Sequence, residues 1–228
     1  VLQLSENALA FHGALAPIGT ALVTLAREST VDVVVHLDHA TDEALVDAAI
    51  ALGFTSVMYD GAHHDYADNA GRTAAVVRRA HAAGVWVEAE LGEIGGKNGA
   101  HAPGVRTDPT EAAQFVGETG VDALAVAVGS EHAMRERSAS LDLALIERIA
   151  TSTGVPLVLH GSSGVSDRAI AQAVASGMRK INIGTHVGRV FTDAARAALA
   201  DESLIDPRRF MEPARVAVAA EVERMLRV

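Results

Sequence analysis

Val33-Val34-Val35-His36-Leu37-Asp38-His39 is the stretch from which the fold is predicted, because a β-branched run passes directly into charged and imidazole side chains. The same transition follows two further apolar runs, at residues 123–128 before His132 and at residues 156–159 before His160. Active-site side chains at the carboxyl ends of several strands are typical of a parallel α/β barrel. The pattern therefore favours a barrel.

Seven units of strand, turn and helix follow one another along the chain, an alternation that predicts a parallel sheet. The predicted strands are residues 1–4, 31–37, 56–59, 85–91, 123–128, 156–159 and 180–183. The predicted helices include residues 42–52, 69–83, 108–119 and 214–226. Glycines follow five helical segments, at the position where left-handed backbone commonly ends a helix: Gly53, Gly84, Gly120, Gly154 and Gly177.

An open doubly wound sheet is the alternative that this alternation allows. That fold concentrates its site at one crevice, and no G-x-G-x-x-G motif follows a strand here. We therefore expect a TIM (β/α)8 barrel, a single domain over residues 1–228. The chain opens on Val1 inside an apolar run, and an open barrel has two unpaired edges, so we expect the first βα unit to be absent from this sequence.

Composition and charge narrow the classes of function. Apolar residues make up 49 % of the chain, enough for a sizeable core, and the formal net charge is −10. An acidic protein has no global field that attracts phosphates, so neither nucleic acid nor a membrane is an expected partner. Cysteine is absent, which excludes disulfides, thiolate metal ligands and cysteine nucleophiles and fits a cytoplasmic protein.

Three histidines lie at predicted strand ends: His39, His132 and His160. Neutral imidazoles from separate strands, with one coordination position open, describe a catalytic zinc site. A histidine at a strand end is also often a hydrogen-bonded structural residue. Spacing alone leaves both interpretations open.

Carboxylates accompany these histidines. Asp38 precedes His39 and can orient that ligand or act as a general acid/base, or it can be a paired or capping aspartate. Glu88 and Glu90 share strand parity, so they face the same side of the sheet. Charge inside a barrel needs a partner or a metal, which favours a functional pair over a structural one.

Two glycine-containing segments follow the last two predicted strands: Gly161-Ser162-Ser163-Gly164 and Asn182-Ile183-Gly184-Thr185. Loops at these places commonly bind phosphate in barrels through backbone N–H groups and hydroxyls.

The lysines of the chain are Lys97 and Lys180. A Schiff-base mechanism needs a desolvated lysine that faces the mouth of the barrel. Lys180 is expected to open its strand at the opposite end, and Lys97 lies in a glycine-rich loop. Imine chemistry is therefore disfavoured, and a metal is the expected electrophile.

At these residues the sequence resembles the class II, metal-dependent fructose- and tagatose-bisphosphate aldolases, and it looks closer to the shorter tagatose-type branch. The similarity spans nearly the whole chain. The matching stretches are His36-Leu37-Asp38-His39, Glu88-Ala89-Glu90-Leu91-Gly92 with Gly95-Gly96, Ala127-Val128-Gly129-Ser130-Glu131-His132, Leu159-His160-Gly161-Ser162-Ser163-Gly164 and Lys180-Ile181-Asn182-Ile183.

The resemblance implies a zinc ion held by His39, His132 and His160, with Asp38 as the catalytic acid/base and Glu90 at an alternative metal position. It also implies a set of substrate-binding residues, several of them on the phosphate, with a monovalent cation (Na⁺ or K⁺) nearby: Ser5, Ala133, Gly161, Ser162, Ser163, Asn182, Ile183, Gly184 and Thr185.

The implied reaction is the reversible cleavage of fructose or tagatose 1,6-bisphosphate into dihydroxyacetone phosphate and glyceraldehyde 3-phosphate, through a zinc-stabilised enediolate. Asp38 would remove the proton of the C4 hydroxyl before the C3–C4 bond breaks. The two sugars differ only at C4, and the sequence leaves that choice open. Family members are usually homodimers or homotetramers, so the same is expected here.

The sequence departs from the family pattern at three positions. Asn98 stands in the loop where the family has an acidic pair, Ala133 replaces a glycine after the second zinc histidine, and His186 replaces a glutamate common in the tagatose-type branch. Because an asparagine cannot act as a base, a sugar-phosphate-binding barrel with altered or lost aldolase activity is one alternative. Another zinc-dependent barrel enzyme, such as a hydrolase, is the other.

Overall fold

Seven parallel strands form one sheet in a computed structural model that describes residues 1–91, 105–130, 137 and 139–228. The strands pair in sequence order, each with the next. They are β1 (Leu2–Ser5), β2 (Val35–Ala40), β3 (Ser56–Tyr59), β4 (Trp86–Leu91), β5 (Ala123–Val126), β6 (Leu157–Leu159) and β7 (Met178–Ile181).

Helices connect the strands. They are α1 (Glu6–His12), α2 (Leu15–Glu28), α3 (Glu43–Leu52), α4 (Tyr66–Ala82), α5 (Pro109–Thr119), α6 (Leu143–Thr153), α7 (Asp167–Ser176), α8 (Thr185–Ala198) and α9 (Pro207–Met225), with a 3₁₀ turn at Ser162–Gly164 after β6. The predicted alternation of strand and helix is confirmed.

The sheet is curled as in a TIM barrel rather than flat. Adjacent strands lie about 4.8 Å apart, so five strand spacings would separate β2 from β7 by about 24 Å in a flat sheet. Instead, Lys180 Nζ on β7 lies 3.2 Å from His36 Nε2 on β2. The side chains of β2, β4, β6 and β7 therefore meet in one interior, and the predicted barrel class is confirmed.

Local signals set the helix ends. Aspartates or serines at the N-cap, the residue just before the helix, accept hydrogen bonds from backbone N–H groups of the first turn. Asp42 does so for α3 and Asp108 for α5. The five predicted glycines all have positive φ: Gly53 101°, Gly84 72°, Gly120 70°, Gly154 68° and Gly177 129°. These helix ends are confirmed because capping depends on residues adjacent in sequence.

Other element boundaries differ from the predictions. Strand β7 begins at Met178 and ends at Ile181, two residues earlier than predicted. Helix α9 begins at Pro207 instead of residue 214 and continues through Pro213. Helix α4 begins at Tyr66, three residues before its predicted start, because Asp65 caps it. The shift of β7 changes the position of Lys180, as described below.

The core has two layers because strand side chains alternate. Outward residues such as Leu37, Leu124 and Leu157 pack with Phe54 and Phe115 beneath the helices. A smaller interior cluster consists of Met58, Ala125, Ala127 and Val158. The interior also contains His36, Asp38, Glu88 and Glu90, all nearly buried, so polar groups occupy much of the space that the strands enclose.

Among the described helices, none alone has the length and hydropathy of a membrane span. Helices α1 and α2 together meet both criteria, but the chain bends by 115° between them.

Phe115 provides a test of the core. Its ring is fully buried and contacts Tyr66 edge to face at a centroid distance of 6.1 Å. We expect Phe115→Ala to lower the free energy of unfolding by about 3–5 kcal/mol, measured by urea denaturation, because it removes buried area and leaves a cavity. Phe11→Ala is the matched control: that ring is 87 % exposed, and its loss should change stability by less than about 0.5 kcal/mol. Equal effects would contradict this packing.

Candidate metal centre and active site

A β-bulge at the end of β2 places Asp38 and His39 together. Successive residues of a regular strand point to opposite faces. Here the register with β3 shifts between Leu37 and Ala40, and His39 adopts φ 52°, in the left-handed region. One ligand atom each of Asp38, His39 and His160 consequently lies within 4.8 Å of the others.

The two imidazoles face each other at short range. His39 Nε2 lies 2.8 Å from His160 Nδ1, and the rings meet edge to face at a centroid distance of 4.6 Å. His160 follows β6 and is fully buried. Gly161 comes next with φ 67°, a left-handed conformation that turns the chain at the barrel mouth at little cost for glycine.

Carboxylates determine which nitrogen of each ring carries its proton. Asp60 Oδ2 lies 2.7 Å from His39 Nδ1, and Glu88 Oε1 lies 2.9 Å from His160 Nε2. Each contact favours an N–H donor on the nitrogen beside the carboxylate. Burial lowers the pKa of His160, so the ring is neutral near pH 7. The opposite nitrogens, which face each other, are therefore the ones with lone pairs.

Asn182 also approaches His160. Its Nδ2 lies 3.1 Å from His160 Nε2 and 3.5 Å from Asp38 Oδ1. The shorter contact of Nε2 with the anionic Glu88 decides the tautomer, since hydrogen bonds to charged acceptors are the stronger ones. Two facing lone pairs repel each other unless a cation or a proton lies between them. Such a donor set fits zinc.

A second group of candidate ligands shares His39. Ligand atoms of His39, Asp60 and Glu90 lie within 4.8 Å of one another, and Glu90 Oε2 is 3.6 Å from His39 Nδ1. The alternative metal position at Glu90 stays a prediction. Asp60 was not predicted as a site residue, although it directly follows β3 and a polar residue at a strand end was the available signal.

Lys180 lies inside the barrel, so its predicted place at the opposite end was wrong. It is the third residue of β7, not the first of its strand, and its Nζ lies 2.7 Å from Glu88 Oε2. Burial alone would raise the pKa of Glu88, but Lys180, the hydrogen bond to His160 and His36 outweigh burial and hold that pKa well below its usual range. Lys180, whose side chain is 19 % exposed, and the buried Glu88 thus form an ion pair next to a candidate ligand.

The two predicted phosphate loops meet at one place. The backbone N–H of His186, in the first turn of α8, donates to Ser163 Oγ at 3.0 Å. Ser162 Oγ donates to the Leu159 carbonyl at 2.9 Å, which holds the turn after β6. The segment from Asn182 through Ile183 and Gly184 leads into α8 at Thr185, so the N-terminus of α8 lies next to the Gly161–Ser163 turn.

Ser5 ends β1 directly beside Asp38 in the strand register. Its Oγ accepts a hydrogen bond from the Ala8 N–H at 3.1 Å and so caps α1. His132 and Ala133 lie outside the described residues, as do Lys97 and Asn98. The structure thus brings together His39, His160, Asp38, Glu90 and Asn182 among the predicted site residues.

A family model described as "Fructose-bisphosphate aldolase class-II" matches residues 1–228. This chain belongs to the class II fructose-bisphosphate aldolase family. It is therefore an aldolase, a lyase, as the sequence analysis predicted. The choice of the tagatose-type branch stays a prediction.

Individual relatives agree with the family. The aldolase is 40 % identical to a fructose-bisphosphate aldolase of Geobacillus stearothermophilus over 97 % of this chain and 79 % of that protein. It is also 40 % identical to a probable fructose-bisphosphate aldolase of Bacillus subtilis, over 97 % and 80 %. Among solved structures, the YdjI aldolase of Escherichia coli K12 superposes with a TM-score of 0.84 at 31 % identity, covering 99 % of this chain and 78 % of the other.

Zinc binding tests the paired imidazoles. We expect the zinc-stripped aldolase to bind Zn²⁺ in competition with a chromophoric chelator. His39→Ala should weaken that binding roughly 100-fold or more, because a ligand is lost. His81→Ala is the control, since this imidazole is partly exposed on α4 and pairs with Asp122 away from the barrel interior. An unchanged affinity in His39→Ala would remove His39 from the metal centre.

Proposed function

We propose that this aldolase reversibly cleaves a ketose 1,6-bisphosphate to dihydroxyacetone phosphate and glyceraldehyde 3-phosphate. The observation that carries the proposal is the 2.8 Å approach of His39 Nε2 and His160 Nδ1 beside Asp38. The family membership supports the reaction type, and the neighbouring Ser163 and α8 N-terminus support a phosphorylated substrate.

His39 and His160 would hold the zinc ion, with His132 as a third ligand by resemblance and Glu90 with Asp60 at an alternative position. When bound, zinc supplies Lewis-acid polarisation of the substrate carbonyl. The surrounding carboxylates hold the rings in the tautomers that a metal requires. A bound Na⁺ or K⁺ near the phosphate remains part of the proposal.

Asp38 is proposed to move the proton. Asp38 is buried, and Asn182 Nδ2 lies 3.5 Å from its Oδ1. In cleavage the carboxylate accepts the proton of the C4 hydroxyl as C4 becomes the aldehyde carbon. The C3–C4 bond breaks, its electron pair forms the C2–C3 double bond of an enediolate, and the former carbonyl oxygen takes the negative charge. A proton delivered to C3 then completes dihydroxyacetone phosphate. In condensation Asp38 returns that proton to the new alkoxide.

Backbone groups would hold the phosphate. The chain carries a formal net charge of −10, so a phosphorylated substrate needs local donors. The proposed donors are Gly161 and Ser163 from the turn after β6, with residues 182–185 leading into α8. Ser162 supports this turn from within, and Ser5, Ala133 and Asn182 are proposed to contact the rest of the substrate.

Asn98 favours a second candidate function, the binding of sugar phosphates. Since it replaces an acidic residue that the family pattern places in the loop after the paired glycines, the chain can be a barrel that binds sugar phosphates with little turnover. Homodimers or homotetramers are proposed for either function.

Removal of metal tests the reaction. We expect retro-aldol cleavage of fructose or tagatose 1,6-bisphosphate to disappear after chelation and to return with added zinc, measured by coupled detection of dihydroxyacetone phosphate. Condensation of dihydroxyacetone phosphate with glyceraldehyde 3-phosphate, followed by product separation, would identify the C4 configuration. Full activity in metal-free protein would refute the mechanism, and substrate binding without cleavage would favour the second candidate.

Asp38→Ala tests the proton transfer. We expect zinc affinity to stay within a few-fold of the wild type while kcat falls roughly 10²- to 10⁴-fold, because the acid/base is lost but the imidazoles remain. Asp42→Ala is the control, since Asp42 accepts its hydrogen bond at the first turn of α3. Unchanged turnover in Asp38→Ala would assign the proton transfer to another group.

A further inference from the structure

A continuous series of polar contacts crosses the barrel interior from β3 to His160. Ser56 Oγ lies 2.8 Å from His36 Nδ1, and His36 Nε2 lies 3.2 Å from Lys180 Nζ. Lys180 Nζ then contacts Glu88 Oε2 at 2.7 Å, and Glu88 Oε1 contacts His160 Nε2 at 2.9 Å. The series ends on the ring whose other nitrogen faces His39.

The direction of these hydrogen bonds follows from the groups themselves. An ammonium group has donors only, so Lys180 donates both to Glu88 and to His36. Burial, the largest influence, lowers the pKa of His36 to about 4, and a neutral His36 offers its Nε2 lone pair to Lys180. Its Nδ1–H then donates to Ser56 Oγ. His36 Nε2 and Glu88 Oε2 thus both accept hydrogen bonds from Lys180, which fixes its ammonium group beside one oxygen of the Glu88 carboxylate.

Glu88 divides its two oxygens between different partners. One accepts from Lys180 and the other accepts from His160, and the carboxylate side chain is only 3 % exposed. A buried carboxylate without a cation is strongly unfavourable. Without Lys180, the remaining contacts would neither compensate that charge nor define the rotation of the carboxylate. The orientation of the His160 ring depends on this carboxylate.

We propose that Lys180 is a positioning residue for the metal centre: it neutralises and orients Glu88, and Glu88 keeps His160 Nδ1 turned toward His39. This inference rests on the proposed metal centre. It assigns Lys180 an electrostatic role at the ligand shell, distinct from that of an imine-forming lysine. Partners behind metal ligands typically change metal affinity by about 10- to 100-fold.

The test measures zinc affinity of the zinc-stripped chain by competition with a chromophoric chelator, with no substrate present. Lys180→Met should bind zinc roughly 10- to 100-fold more weakly than the wild type. Lys180→Arg should recover most of the affinity, since it restores the positive charge. Arg79→Met is the matched control: it removes a cation that pairs with Asp47 and Glu43 on the surface, and zinc affinity should not change.

A second variant separates positioning from simple charge balance. Lys180→Met leaves a buried uncompensated carboxylate, whereas Lys180→Met with Glu88→Gln is neutral and should regain stability toward urea in the metal-free form. Its zinc affinity should nevertheless stay low, because the amide is a weaker acceptor for the His160 N–H. If the single variant does not fold, the neutral double variant carries the test.

Wild-type affinity in Lys180→Met, or full recovery of affinity in the double variant, would overturn the positioning role and leave the metal centre intact. Failure of the wild type to bind zinc would instead overturn the metal centre and this inference together.

Discussion

Charged groups inside a curled parallel sheet need partners within that sheet, because little water reaches them and isolated buried charges are strongly unfavourable. The interior of this aldolase follows that constraint. Lys180 is paired with Glu88, Glu88 with His160, and Asp60 with His39. These pairings decide where each imidazole carries its proton, and therefore where a metal can bind. The same charges that the fold must neutralise define its chemistry.

The bulge in β2 is the second structural condition of the site. A regular strand would send Asp38 and His39 to opposite faces, one toward the barrel interior and the other toward the helices. Left-handed backbone at a non-glycine residue costs roughly 1–3 kcal/mol. The hydrogen bond of His39 to buried Asp60 holds the ring in place. The result is a proposed proton-transfer group next to a proposed metal ligand.

Elements defined by neighbouring residues could be predicted well. Helix ends depend on an aspartate or serine at one end and a glycine at the other, and those signals lie within one turn of the boundary. Strand β7 was predicted two residues too far along the chain, because the alternating Lys180-Ile181-Asn182-Ile183 pattern continues past the last strand residue, Ile181. Alternation alone does not show where pairing with β6 stops. That two-residue error placed Lys180 at the wrong end of the barrel.

By itself, the sequence determined the succession of strands and helices, the polar residues that end the strands, and the motifs shared with class II aldolases. These are properties of residues close together along the chain. Tertiary structure alone decided the partners: His39 meets Asp60 across 21 residues, His160 meets Glu88 across 72, and Lys180 meets His36 across 144. Such contacts require the strand register, the bulge and the curl of the sheet together. Those features arise only when every strand is packed against its neighbours.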